Sequence, residues 1–158
     1  TLGLTLSLID APDLAGLCER IEQGLREEFD VDATALCAIG ADGLAPELAN
    51  TIRVADPEVA HRSIGSLLQG DRVVCGVLRD SELTFLFPYQ AESVRSAAVM
   101  PLPVPDARVL LAMGSRHADH FVPEMGTQFV RFVGDVSARL LARHGAFVPT
   151  GDAGDALS

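Results

Sequence analysis

The amino-acid sequence predicts an α+β domain with a central antiparallel sheet of five or six strands. Three observations carry this prediction. Amphipathic helical patterns lie towards both ends of the chain, strand-like apolar runs separate them, and two such runs follow each other closely at 94–102 and 107–113. Helices from the two ends can pack together on one face of an antiparallel sheet. A chain of 158 residues has the length of one domain with a sizeable core.

Residues 1–12 are expected to be the end of a helix that begins upstream. Every second residue from Leu2 to Leu8 is leucine, which is also a strand pattern, but the segment is apolar on every side. Asp10 is the expected N-cap of the next helix, with Pro12 in its first turn. That helix should end near Phe29. Its apolar stripe consists of Leu14, Leu17, Cys18, Ile21 and Leu25.

The middle of the chain is predicted to alternate strands with short helices. Residues 31–39 alternate apolar and polar side chains as in a half-buried strand with Cys37 on the inward side, and 52–55 is a second candidate strand. Asp56 and Pro57 give a helix start, and its apolar face extends to Leu68, with Gly70 as the expected stop.

The second half is predicted to contain a strand, a short helix and two covered strands. Residues 73–77 read as the strand, and a helix capped by Asp80 or Ser81 should follow, ending at Pro88. The runs 94–102 and 107–113 are apolar on both faces, as in the centre of a covered sheet.

The last helix is expected from Pro123 and Glu124 to the stop at Gly145. Its apolar stripe is Met125, Phe129, Phe132, Val133, Val136, Leu140 and Leu141. Residues 146–158 are rich in Pro, Gly, Asp and Ser and are predicted to be a disordered tail.

The stretch 107–141, ARVLLAMGSRHADHFVPEMGTQFVRFVGDVSARLL, combines an apolar strand, a Gly-Ser turn, an aromatic residue and a closing helix. It resembles the C-terminal half of a GAF domain, and FVPEMGTQFVRFVGD is similar to a bacterial GAF-like family of unknown function. The resemblance implies a GAF-like, profilin-like domain over 13–145. GAF domains commonly bind a small molecule between the sheet and the helices and loops above it. The specialised cyclic-nucleotide and bilin motifs of such domains are not evident, so no cofactor is assigned.

Charge and cysteine usage exclude several classes of partner. The net charge is −10 and every basic side chain is arginine. An acidic domain repels phosphate backbones and anionic membranes, so neither nucleic acid nor a membrane is an expected partner. Three widely spaced cysteines give neither a disulfide framework nor a zinc-site spacing, and they fit a reduced, cytoplasmic protein.

Five residues are candidate ligand contacts. An arginine over the pocket can bind a carboxylate or phosphate through its fork of donors, although a surface ion pair is the more frequent role. Phe85, Phe87 and Tyr89 are aromatic residues that could form walls of the same pocket, and Gly76 could allow close approach to Cys75. The candidates are Arg53, Cys75, Arg79, Phe87 and Arg95.

Cysteine and histidine residues offer two further kinds of chemistry. Cys75 is the expected modifiable thiol, with Arg72 and Arg79 near enough in sequence to lower its pKa, whereas Cys18 and Cys37 fit buried positions. His117 and His120 lie on a predicted turn without the further ligands that a metal site needs.

These observations leave three functional hypotheses. The first is a non-enzymatic GAF-like sensory or regulatory domain that binds a small ligand or mediates dimerisation. The second is a thiol-dependent enzyme that resembles the GAF-type reductases of free methionine sulfoxide. The third is a structural dimerisation module without a ligand. A homodimer through the first and last helices is expected, because both helices have wide apolar surfaces and Gly126 and Gly134 would let another backbone approach.

Overall fold

The computed structural model describes residues 8–49, 51–68, 72–104, 107–122 and 128–147. The strands are β1 (Ala33–Ile39), β2 (Arg53–Ala55), β3 (Val74–Gly76), β4 (Ser96–Pro101) and β5 (Val109–Ser115). The helices are α1 (Leu14–Phe29), α2 (Pro46–Ala49), α3 (Pro57–Ile64), α4 (Asp80–Leu86) and α5 (Gln128–Arg143). A 3-10 turn over Gly65–Leu68 continues directly from α3.

The five strands form one sheet in the order β2-β1-β5-β4-β3. The α+β class and the strand number are as predicted, but the sheet is mixed rather than antiparallel throughout. β1 and β2 are parallel, with Cys37 opposite Arg53, while the other three pairs are antiparallel. Residues 40–52 connect β1 to β2 and include α2. A connection of that length can return the chain to the starting end of the sheet, which a tight hairpin cannot do.

Both faces of the sheet are covered, because successive strand side chains point to opposite sides. The terminal helices α1 and α5 pack on one face, as predicted, against residues that include Leu36, Met100 and Leu111. Helices α3 and α4 pack on the other face, against residues that include Cys37 and Leu110. The strand β1 is therefore buried on two sides rather than half-buried.

The starts of α1 and α3 can be compared with the predicted caps. The cap of α1 is Asp13, not Asp10: the Asp13 Oδ1 atom accepts a hydrogen bond from the Gly16 N–H at 2.8 Å. The chain at Asp10 is still in a turn, closed by the Ala11 N–H to the Leu8 carbonyl at 3.3 Å. Asp56 caps α3 as predicted, accepting from the Glu58 N–H at 3.0 Å.

The other boundaries differ in part from the prediction. α1 ends at Phe29, as expected, followed by Asp30 in a left-handed conformation with φ 53°. α3 is shorter than predicted, because the chain tightens into the 3-10 turn after Ile64. α4 begins one residue earlier than expected, with Arg79 as its N-cap.

The end of the core lies beyond the predicted tail boundary. Ala146 is buried, its carbonyl accepts from the Ala45 N–H at 2.8 Å, and Phe147 bridges to Leu44. These two residues belong to the folded domain rather than to a disordered tail. The predictions for 1–7, Gly70, Pro123–Gly126 and 148–158 lie outside the described residues.

Candidate functional site

An open groove of about 630 Å³ lies on the α3–α4 face, at the β2 edge of the sheet. Three elements form it: β2, α3 and α4. Its volume is within the range of small-molecule sites. The residues that line it are Arg53, Ala55, Asp56, Val59, Ser63, Asp80, Ser81, Thr84 and Phe85.

Arg53 connects β2 to the end of α4. Its Nη2 donates a hydrogen bond to the Phe85 carbonyl and lies 3.5 Å from the Cys37 Sγ. Its Cζ lies 4.8 Å from the centroid of the Phe85 ring, which is a cation–π distance. Both polar contacts use Nη2, so the donors on Nε and Nη1 take no part in them. The guanidinium is thereby held at the groove wall by the ring and the carbonyl of one residue.

The groove carries charges of both signs. Asp56 lies between β2 and α3 as the N-cap of that helix, and Asp80 is the first residue of α4. Within the described parts of the chain, neither carboxylate forms an ion pair with Arg53 at 4.0 Å or less. Ser63, Ser81 and Thr84 add hydroxyl groups to the lining, and Val59 and Phe85 supply apolar surface. The lining therefore offers an anion contact, cation contacts and an apolar wall.

A buried carboxylate links two of the elements that form the groove. Glu82 is 4% exposed and accepts hydrogen bonds from the Arg79 N–H at 2.8 Å, from Arg79 Nη2 at 3.3 Å and from the Ser66 hydroxyl at 3.2 Å. Ser66 lies in the 3-10 turn after α3, so Glu82 ties the start of α4 to the end of α3. The sequence signal for this role is an acidic residue three positions after the cap, obscured by an arginine at the cap itself.

The structure does not bring the five predicted contacts together. Arg53 alone lines the groove, and Arg79 lies beside it, paired with Glu82. Arg95 is exposed at the start of β4, where its N–H donates to the Ser115 carbonyl at 2.7 Å. Phe87 is 1% exposed in the core. The fifth, Cys75, is buried in the cluster on the opposite, α1–α5 face.

The aromatic residues of the same segment separate as well. Phe85 lines the groove, Phe87 packs beneath β5, and Tyr89 is 95% exposed. Periodicity did not distinguish these three, because α4 ends at Leu86 and the chain then turns. The groove residues that the sequence did not single out are hydroxyl and aliphatic side chains on helix surfaces, which look like an ordinary solvated face.

The thiols are all buried. The exposed fractions of Cys18, Cys37 and Cys75 are 3%, 1% and 8%. Burial, with the charge of Glu22 as a smaller cause, raises the pKa of Cys18 to about 12. Burial also raises the pKa of Cys75, which is the opposite of the lowering that Arg72 and Arg79 would cause if they turned toward it. A raised pKa reduces the thiolate fraction and with it the nucleophilicity.

The histidine turn is built by backbone and serine contacts. The His120 N–H donates to the His117 carbonyl at 3.2 Å, and the same carbonyl accepts from the Ser96 hydroxyl at 2.6 Å. Among the described residues, no group of three or more His, Cys, Asp or Glu side chains is placed to hold a metal ion. None of the described helices has both the length and the apolar character needed to cross a bilayer.

Solved structures with a similar fold include photosensory and chemotaxis proteins. The phytochrome photosensory core module of Stigmatella aurantiaca is 19% identical, with a TM-score of 0.57, over 89% of this chain and 35% of that one. The chain thus spans about a third of that module. A methyl-accepting chemotaxis protein fragment is 12% identical, with a TM-score of 0.58, over 91% of this chain and 96% of that one. GAF3 of a Synechocystis protein, in its photoproduct state, is 11% identical, with a TM-score of 0.52, over 84% and 94%.

These structural similarities establish a GAF-like fold, and at such low sequence identities they show nothing about a ligand. No curated protein matches the sequence. The model of a family described as protein of unknown function, DUF484, matches residues 1–146, and the chain therefore belongs to that family.

Proposed function

We propose that this protein is a non-enzymatic sensory or regulatory domain that binds a small ligand in the groove between β2, α3 and α4. The observation that carries the proposal is Arg53, held by Phe85 at the groove wall without a carboxylate partner among the described residues. An arginine beside an apolar surface, with its Nε and Nη1 donors outside these contacts, is a suitable contact for an anionic group of a small molecule. The GAF-like fold, shared with photosensory and chemotaxis proteins, supports the sensory role.

Ligand binding in the groove would also connect separate elements. A molecule that touches Arg53, Asp80 and Val59 bridges β2, α4 and α3 at once. β2 pairs with β1, whose other face contacts the α1–α5 layer through Leu36. Occupancy can therefore change the stability of the sheet edge and, through β1, the packing of the terminal helices.

A thermal-shift screen of metabolites tests the proposal. A ligand present at about a hundred times its dissociation constant stabilises the fold by about 2.7 kcal/mol. Arg53→Gln should abolish the shift, whereas Arg95→Gln, an exposed arginine outside the groove, should retain it. If every stabilising compound acts equally on both variants, binding is not in this groove.

The thiol-enzyme hypothesis finds little support in the burial of the three cysteines. Limited alkylation of the folded protein should be slow, with Cys75 labelled before Cys18 and Cys37 because it is the most exposed of the three and Cys18 has a pKa of about 12. Peptide mapping measures the order. Rapid labelling of any cysteine in the folded protein, or turnover of methionine sulfoxide that Cys75→Ser abolishes, would reinstate a thiol mechanism.

A homodimer is the second candidate role, favoured by exposed apolar side chains near both chain ends. Ile9 is 52% exposed and Phe132, on α5, is 49% exposed. Two residues expected at such an interface have other roles. Leu8 is 1% exposed and belongs to the chain's own core, and Gly134 receives the side chain of Met100 from β4 rather than another backbone.

Light scattering at micromolar concentration measures the mass in solution. The dimer proposal expects about twice 16.7 kDa for the native chain and a shift towards 16.7 kDa for Phe132→Glu. Tyr89→Glu is the matched control, since Tyr89 is 95% exposed on a loop far along the chain from both helices. A native mass near 16.7 kDa, or equal masses for both variants, would show that α5 is not the interface.

A further inference from the structure

From the charges that line the groove we infer the chemical class of its ligand: a small zwitterion with an apolar or aromatic body, of the kind represented by an amino acid or a short peptide. The inference rests on the proposed function, because it concerns the same groove. The inference also assigns each charged end of the ligand to particular residues of the groove.

The carboxylate end of the ligand belongs at Arg53. The guanidinium is fixed in place by its Nη2 contacts to the Phe85 carbonyl and the Cys37 sulfur. The Nε and Nη1 donors lie outside these contacts, and each of them can donate one charge-assisted hydrogen bond to a carboxylate oxygen. A fixed guanidinium loses less conformational freedom on binding than a mobile one.

The ammonium end of the ligand belongs at the two aspartates of the groove. Asp80 and Asp56 both line the groove, from α4 and from the start of α3. The described residues give Asp80 no side-chain hydrogen bond and no ion pair, so its carboxylate oxygens are open to a cation. Asp56 uses one oxygen to cap α3, at 3.0 Å from the Glu58 nitrogen. Asp80 is therefore the principal contact and Asp56 the secondary one.

The presence of both positive and negative groups in one groove selects against ligands with a single charge. A purely anionic ligand at Arg53 would lie in the same groove as two carboxylates, and a purely cationic ligand would share it with the guanidinium. Like charges in one site cost free energy, whereas a zwitterion meets an opposite charge at each end. The apolar wall of Val59, Ala55 and the Phe85 ring completes the match by covering the body of the ligand.

Three probes that differ by one charged group test the assignment. Phenylalanine carries both groups, 2-phenylethylamine lacks the carboxylate, and 3-phenylpropanoate lacks the ammonium. Phenylalanine should bind the native protein at least about tenfold more tightly than either single-charge analogue, as expected when one charge-assisted hydrogen bond is lost. Calorimetry gives the three dissociation constants. Phenylalanyl-phenylalanine is the fourth arm, and tighter binding of the dipeptide would identify a peptide rather than a free amino acid as the source.

Two variants assign the ends of the ligand. Arg53→Gln should remove the preference for phenylalanine over 2-phenylethylamine, and Asp80→Asn should remove its preference over 3-phenylpropanoate. Arg95→Gln and Asp119→Asn, exposed residues outside the groove, are the matched controls and should leave all affinities unchanged. A circular-dichroism melt of each variant shows whether it is folded.

The outcomes separate this inference from the proposed function. A single-charge analogue that equals phenylalanine on the native protein overturns the zwitterion assignment. So does a failure of phenylalanine and its dipeptide while a metabolite that is not a zwitterion stabilises the protein in an Arg53-dependent way, a result that leaves groove binding intact. If no compound at all gives an Arg53-dependent shift, both proposals fall.

Discussion

Gly114 shows how closely the α3–α4 face is packed at a single residue. It lies in β5 opposite Ala33 of β1 and Ala97 of β4. A Cβ at this position would lie 2.9 Å from Val94 Cγ1 and 3.3 Å from the Phe87 ring. The buried Phe87 thus fills the space that a side chain on the central strand would take. Its role is packing, which is why it does not reach the groove.

Gly114→Ala should therefore destabilise the protein by about 1–3 kcal/mol, the usual cost of overfilling a core. Chemical denaturation gives the change in the free energy of unfolding. Gly65→Ala is the matched control, because its Cβ would meet nothing nearer than 3.7 Å, at His61 Nδ1. An equal effect of both substitutions would mean that the contact of Gly114 with Phe87 and Val94 is not tight.

Glu22 is a second residue with a measurable consequence. Burial raises its pKa above the ordinary 4.5, outweighing the hydrogen bond from Thr34 and the charge of Arg26, which lower it. A carboxyl with a raised pKa in the folded state stabilises the protein below pH 4.5, and this contribution is lost as the pH rises through the folded-state pKa. At pH 7 the ionised Glu22 therefore opposes folding.

Glu22→Gln should raise Tm at pH 7, and the gain should shrink as the pH falls through the folded-state pKa of Glu22 and be lost below 4.5, where both side chains are neutral. Thermal melts over this range measure it. Glu19→Gln, an exposed position on the same helix, should show no such pH-dependent gain. A lower Tm for Glu22→Gln at pH 7 would mean that the contacts with Thr34 and Arg26 dominate.

The starts of α1 and α4 depend on contacts beyond the cap side chain. The sequence offers two aspartates before α1, and the proline between them fits the first turn of a helix capped by Asp10. The tertiary contact of Ala11, which is buried, keeps the chain in a turn and moves the start to Leu14. In α4 a carboxylate three residues into the helix, rather than the cap side chain, satisfies the first N–H.

The two aspartates can be compared directly. Asp13→Ala should reduce the free energy of unfolding by about 0.5–2 kcal/mol, because it removes the acceptor for the Gly16 N–H. Asp10→Ala should change it by much less, since Asp10 precedes the helix. Urea denaturation of both variants gives the ranking, and a larger loss for Asp10→Ala would restore the sequence-based start.

At the scale of the whole molecule, hydrophobic periodicity was sufficient for the element order but not for every pairing. The buried strands β4 and β5 were recognisable because they are apolar on both faces. The direction of β2 was not, since Arg53 and Val54 are exposed and its partner depends on the connection from β1. The layer of α1 and α5 followed from their apolar stripes.

The candidate site was predictable only in part for the same reason. An arginine at a strand end, such as Arg53, is chemically distinctive in the sequence. Asp80 has the pattern of a helix cap, and Val59 and Thr84 have the pattern of solvent-exposed helix residues. What makes these residues a site is the distance between β2 and α4, which Arg53 and Phe85 set by a contact between residues far apart in sequence. Local patterns carry no information about such a contact.

The central position of β1 has a consequence for synthesis of the chain. β1 pairs along its length with β5, and residues 40–108 lie between the two strands. On the ribosome, β1 with β2 and β4 with β3 can emerge as separate fragments, each with an apolar edge that has no partner until β5 has left the exit tunnel. Contacts so distant in sequence slow folding and prolong the exposure of apolar strand edges. This domain therefore completes its fold late, and the nascent chain is most vulnerable to aggregation just before residue 115 appears.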